Sequence, residues 1–125
     1  MIYGIGTDLV RVARMQANLD RHGEKFARRI LSDNEFDEYR VHRQPANFMA
    51  RRFAAKEATA KAMGIGFSNG LSLRHIGVRH DEKGRPFIEY AGRGQELCTV
   101  LGISESHLSI ADDSDYAIAF VTLLA

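Results

Sequence analysis

Apolar and small positions alternate through the opening "MIYGIGTD": Tyr3, Ile5 and Thr7 fall on one side of an extended chain, Gly4, Gly6 and Asp8 on the other. From Leu9 the spacing turns helical. Leu9, Val12 and Leu19 are its apolar positions, Gly23 is a stop, and Arg11, Arg14, Asn18 and Arg21 share the opposite face. "SDNEFDEY" begins with Ser32 and carries Glu35 three residues later, the spacing of a capping box at the start of a short helix. The longest helical pattern follows Pro45, covers roughly 46–63 and closes at "MGIG".

The second half changes period. "RHIGVRHDEKGRPFIEY" predicts two short strands around the turn "DEKG", "RGQELCTVLG" a short helix, and "HLSIADDSDYAIAFVTLL" a further pair of strands around a polar turn. Antiparallel hairpins with separate helices, rather than alternating strand and helix, predict an α+β fold: an antiparallel sheet packed with a long central helix and shorter ones. At 125 residues, with no repeat and no linker-like tract, the chain is expected to be a single domain, 1–125, burying about two-thirds of its unfolded surface. No run of eighteen apolar residues occurs and the N-terminus lacks a basic region before an apolar one, so neither a membrane span nor a signal peptide is expected. The single cysteine, Cys98, agrees with a reducing compartment, and its helical spacing with Leu97 and Leu101 predicts a core position. Together these make a cytoplasmic protein the expectation.

Charge refines the picture. Net charge is +1, yet residues 11–29 hold six Lys/Arg against two acids, and residues from 81 onward hold three against eight. A one-sided arginine stripe, Arg11, Arg14 and Arg21, is either a solvated face or a surface for an acidic protein. Nucleic acid is a poor fit at a sequence pI near 8.0 with no recognition motif.

Candidate chemistry concentrates in "RRFAAKEATAKAMG". Glu57 and Lys61 share one helix face in the favourable order for a surface ion pair worth a few tenths of a kcal/mol. Ala54, Ala55, Ala58 and Ala62, however, predict close packing, and Arg51, Arg52, Lys56 and Lys61 over-supply one acid with cations. Asp8 at the strand end reads either as a helix N-cap or, with Gly4 and Gly6 beside it, as a carboxylate that a ligand can approach. Were Asp8 and Glu57 to meet, they would suit Mg²⁺, with Lys61 and Arg52 facing the remaining phosphate charge. "GIGTD" itself is no phosphate loop, since neither a third glycine nor GK[ST] follows. Ser109 and His107, two apart on one strand, lack an oxyanion hole and a GxSxG elbow, and His75, His80 and His107 lack zinc-site spacing. The residues alone leave open a non-enzymatic oligomeric module binding an acidic protein or a phosphorylated metabolite.

"GIGTDLV", "RRFAAKEATAKAMGIG" and "HLSIADD" followed by "YAIAFV" resemble, in order and spacing, the holo-acyl-carrier-protein synthases, the short bacterial type of 4′-phosphopantetheinyl transferase. "LSDNEF", "FSNGLSL" and "KGRPFIEY" resemble the intervening segments, so the likeness covers nearly the whole chain. It implies that fold and a homotrimer with active sites between subunits. It also implies Mg²⁺-dependent transfer of 4′-phosphopantetheine from coenzyme A to a serine of apo acyl carrier protein, for fatty acid biosynthesis. By the same resemblance Asp8 and Glu57 are the Mg²⁺ ligands, Lys61 meets the transferred phosphate, and Arg52, Gly64, Pro86 and His107 line the coenzyme A site. Arg14 and Arg21 dock the carrier. "HLSIADD" departs from the "HVSISH" of many relatives, which puts Asp112 where a second histidine would fall.

Overall fold

The computed structural model describes residues 1–125. Strand β1 (Ile2–Arg11) runs three residues beyond the strand expected from the alternation, because its neighbour holds it there. In the antiparallel ladder β1 pairs along β5 (Tyr116–Leu124), from Ile2 opposite Leu124 to Arg11 opposite Tyr116. Helix α1 (Val12–His22) therefore starts after Arg11, which takes the N-cap position. Asp8 sits inside a strand and caps no helix, so the N-cap reading is corrected, and Leu9 is an outward strand position rather than the first helical contact.

Gly23, with φ +59°, ends α1 as expected, and α2 (Glu24–Ile30), which the apolar spacing did not predict, follows at once. Its buried contacts are only Ala27 and Ile30, too few for a visible period. Ser32 caps α3 (Asp33–Val41) in a capping box, Ser32 N–H donating to Glu35 Oε1 at 2.9 Å and Glu35 N–H to Ser32 Oγ at 3.4 Å. Helix α4 (Pro45–Met63) has Pro in its first turn and ends on Gly64 in the left-handed conformation, φ +83°. A 3₁₀ turn (Leu73–His75) leads into the hairpin β2 (Ile76–His80) and β3 (Pro86–Tyr90); α5 (Arg93–Leu101), then β4 (Glu105–Asp112), precede β5.

Three strands form one antiparallel sheet in the order β1-β5-β4, and β2 with β3 forms a second. One face of the larger sheet presents Gly4, Gly6, Asp8 and Val10 of β1 with Ala117, Ala119, Val121 and Leu123 of β5, and α4 lies against it. Glycine and alanine set that distance. A Cβ on Gly6 would run into the Ala58 carbonyl oxygen and stand 2.8 Å from Ala62 N, and one on Gly4 would strike the Ala62 carbonyl oxygen. Close approach is what carries the end of α4 up to β1 at Asp8. The other face carries Ile5, Leu9, Tyr116, Ile118 and Phe120, each exposed by about 42–61%. Cys98 is in the core.

Candidate active site

Strand β1 and helix α4 deliver Asp8, Glu57 and Lys61 to one place. Asp8 shares the inward face with Gly4 and Gly6, whose missing side chains let the helix close on the strand. Lys61 Nζ donates to Asp8 Oδ1 at 3.0 Å and to the Thr7 carbonyl at 3.1 Å. The expected i,i+4 partner is thus passed over: Lys61 reaches across to the strand, and the Glu57 side chain makes no ion pair or hydrogen bond within the chain. With the Lys61 side chain 53% exposed, its contact with Asp8 contributes only about 0–1 kcal/mol to stability, so folding does not account for the arrangement.

Burial and the neighbouring Asp8 carboxylate together hold the Glu57 carboxyl above its usual range, while the Lys61 ammonium and the Arg14 guanidinium pull the other way. Two acids from distant parts of the chain therefore feel each other's charge, the one relation that sequence spacing could not establish. No cluster of three metal-ligating side chains exists anywhere in the chain. Two carboxylates without a third protein donor suit Mg²⁺, which takes one or two and fills its octahedron with water and phosphate oxygens, and do not suit a metal that needs an all-protein cage.

Gly64 closes α4 two residues beyond Ala62, with open space where a side chain would stand, so the helix end above Lys61 is bare. Pro86 and His107 lie elsewhere. They line one cleft of about 290 Å³ with Asp81, Arg85, Phe87, Ser106 and Leu108. His107 is opposite Thr122, which neighbours Ile5 on the apolar sheet face, away from Asp8; its Nε2 lies 3.1 Å from Glu105 Oε2. Within one chain His107 and Asp8 are thus on opposite faces of the sheet.

Arg52 is a correction. Expected to face phosphate, its side chain is 3% exposed, and Nη1 donates to Glu35 Oε2 at 3.3 Å, Glu38 Oε2 at 3.1 Å and the Val78 carbonyl at 3.0 Å. Spacing alone cannot tell which face of a helix packed on several sides looks outward. Asp112 lies opposite Ala117, two register rows past the Asp8–Ala119–Ile110 row and on the far strand, so it joins neither carboxylate; its charge acts on Arg51. Arg14 and Arg21 are exposed on α1 seven residues apart, neither with an ion-pair partner, and the Arg14 guanidinium stands 5.4 Å from the Phe53 ring centre on α4. The stripe therefore ends beside Glu57.

The profile described as "4'-phosphopantetheinyl transferase superfamily" matches residues 4–121. The holo-[acyl-carrier-protein] synthase of Nitrosococcus oceani is 59% identical over 125 residues, which is 100% of this chain and 81% of that protein. Among solved structures, holo-[acyl-carrier-protein] synthase from Neisseria meningitidis superposes with a TM-score of 0.95 at 42% identity, covering 100% of both chains. The Helicobacter pylori synthase in complex with coenzyme A gives 0.84 at 31% identity, over 96% of this chain and 99% of that one.

Proposed function

The chain belongs to the 4′-phosphopantetheinyl transferase superfamily, and from that membership we propose that it moves the 4′-phosphopantetheine arm of coenzyme A onto a serine hydroxyl of apo acyl carrier protein. Adenosine 3′,5′-bisphosphate leaves, and the holo carrier serves fatty acid biosynthesis. The protein is thus an enzyme, a transferase. The observation that supports the residue-level reading is the Lys61 bond to Asp8 at 3.0 Å, one helical turn from Glu57, whose carboxyl is raised by burial and by the Asp8 charge.

In the reaction the serine oxygen bonds to the β-phosphorus of coenzyme A, the bond from that phosphorus to the bridging oxygen breaks, and the hydroxyl proton leaves. Such transfer depends chiefly on positioning and on meeting the phosphate charge. Asp8 and Glu57 would hold Mg²⁺, which when bound neutralises the diphosphate. Lys61, already half in solvent, turns from Asp8 to the phosphoryl oxygens at little cost. The serine proton would leave to Asp8 or Glu57, directly or by way of a water held beside them. Gly64 leaves the end of α4 open to the pantetheine phosphate, and the cleft of Pro86 and His107 takes another part of coenzyme A.

The separation of that cleft from Asp8 is accounted for by a homotrimer in which one subunit supplies Asp8, Glu57 and Lys61 and its neighbour Pro86 and His107. The apolar sheet face of Ile5, Leu9, Ile118 and Phe120 is the surface to be covered. The reading takes residues 1–125 as a single domain working in the cytoplasm; no helix is long and apolar enough to cross a membrane.

Intact-mass measurement of an apo carrier after incubation with coenzyme A and Mg²⁺ tests the reading. A gain equal to the phosphopantetheine arm, abolished by chelation, is expected; an unchanged carrier mass would overturn it. Reversing the α1 stripe with Arg14→Glu and Arg21→Glu should raise KM for the carrier about tenfold or more, with KM for coenzyme A within about twofold. Added salt should weaken carrier recognition by the native enzyme in the same sense. A carrier KM that ignores both changes removes α1 from the docking surface.

A further inference from the structure

Behind the site lies a group of charges that the transfer chemistry does not use. Glu35 on α3 and Arg52 and Lys56 on α4 are all at or below 3% exposure. Lys56 Nζ donates to Glu35 Oε1 at 2.6 Å, to the Leu73 carbonyl at 3.0 Å and to the Ile76 carbonyl at 2.5 Å, so its three protons are all taken. Glu35 Oε2 accepts from Val78 N–H at 2.9 Å and from Arg52, which also donates to the Val78 carbonyl. No buried side-chain polar atom lacks a partner.

Burying ions in this way is a weak route to stability, since apolar residues of similar volume commonly do as well or better. Direction is what the ions add. Lys56 and Arg52 both bond Glu35 between the helices, and four further bonds leave α3 or α4 and end on the 3₁₀ turn or on β2, at Leu73, Ile76 and Val78. From Val78 the hairpin runs through its turn to Arg85, Pro86 and Phe87, which line the His107 cleft. At the other end, Lys56 immediately precedes Glu57, and Lys61 follows about one turn later. Consecutive helix residues differ by about 100° around the axis, so Lys56 points inward where Glu57 points toward Asp8.

We propose that Lys56 and Glu35 are positioning residues for coenzyme A: by bonding α3 and α4 to β2 they fix the β2–β3 hairpin, and with it the Pro86 cleft, relative to the helix that bears Glu57 and Lys61. This inference rests on the proposed transfer reaction and deepens it. It also gives the buried charges a role that generic core packing would not need. In the trimeric arrangement the two ends serve adjacent active sites, so the network sets the geometry between neighbouring sites.

The test is the double variant Glu35→Gln/Lys56→Met, which removes both charges, keeps approximate volumes and leaves Val78 N–H an acceptor. Its melting temperature, kcat, KM for each substrate and amide hydrogen exchange over residues 76–90 are compared with the native protein. The expected result is a folded protein with faster exchange in 76–90, a KM for coenzyme A raised about tenfold and a carrier KM within about twofold. Lys56→Arg, which keeps charge and donors, should recover part of the coenzyme A KM. A folded double variant with native exchange in 76–90 and native KM for coenzyme A would reduce the network to a structural role and overturn the proposal. Should the double variant not fold, Glu35→Gln alone is read by the same comparisons. If native protein transfers nothing to the carrier, the functional reading fails separately, and the exchange data still decide whether these residues hold the hairpin.

Discussion

Asp8→Asn is expected to lower kcat/KM for phosphopantetheine transfer by about 10²–10³-fold, on the order of 3–4 kcal/mol of transition-state stabilisation, while leaving the fold intact. The asymmetry between activity and stability follows from the structure. Asp8 makes one ion pair, to a lysine that is half exposed, and removing such a pair costs about 0–1 kcal/mol. Asparagine keeps the shape and one carbonyl oxygen but not the charge, so a divalent cation would lose much of its attraction. Glu57→Gln should cause a similar loss. On the proposal that the two acids hold one ion, the double variant should fall little below either single one, the non-additivity expected of residues acting as a unit. Initial rates across an Mg²⁺ titration, with melting temperature as control, measure all three. Native turnover with native Mg²⁺ dependence in Asp8→Asn would remove Asp8 from the metal site.

Local signals in the sequence were faithful where local physics decides. The capping box at Ser32 and Glu35, the Gly64 terminus of α4 and the hairpin around residues 81–85 each depend on residues a few positions apart, and each is formed. Errors arose where a distant element decides. β1 continues to Arg11 because β5 is long enough to pair there, and nothing in "LVR" announces that partner. The role of Lys61 was legible only in part: its neighbour along the helix is Glu57, but the strand brings Asp8 nearer. Arg52 failed for the converse reason, since α4 is covered on several faces and a charged residue can be inward when Glu35 and Glu38 wait for it. Glycines at 4 and 6 were noted as room for a ligand beside Asp8; they are room for α4, and through it for Glu57.

Phe120→Asp is expected to abolish transfer almost completely although Phe120 is far from phosphate chemistry. The residue stands mid-strand on the outer sheet face, 46% exposed, with Thr7 opposite on β1 and Ser109 opposite on β4; Ile118 and Leu9 form the next row. A carboxylate there has water to face in a lone subunit, so the monomer should remain folded. Buried in a trimer contact it would be unpaired and close to its symmetry mates, which should dissociate the assembly. Light scattering should then report a monomer, with activity lost if, as proposed, Asp8 of one subunit works with His107 of the next. Mixing subunits separates assembly from catalysis more sharply. Trimers formed from Asp8→Asn and His107→Ala subunits, each defective alone, should regain activity at about a quarter of the sites, since a cyclic arrangement lets an intact Asp8 from one subunit meet an intact His107 from the next. Mixed trimers no more active than their components would mean that each chain completes its own site. The placement of Asp8 and His107 on opposite faces of one sheet would then need another explanation.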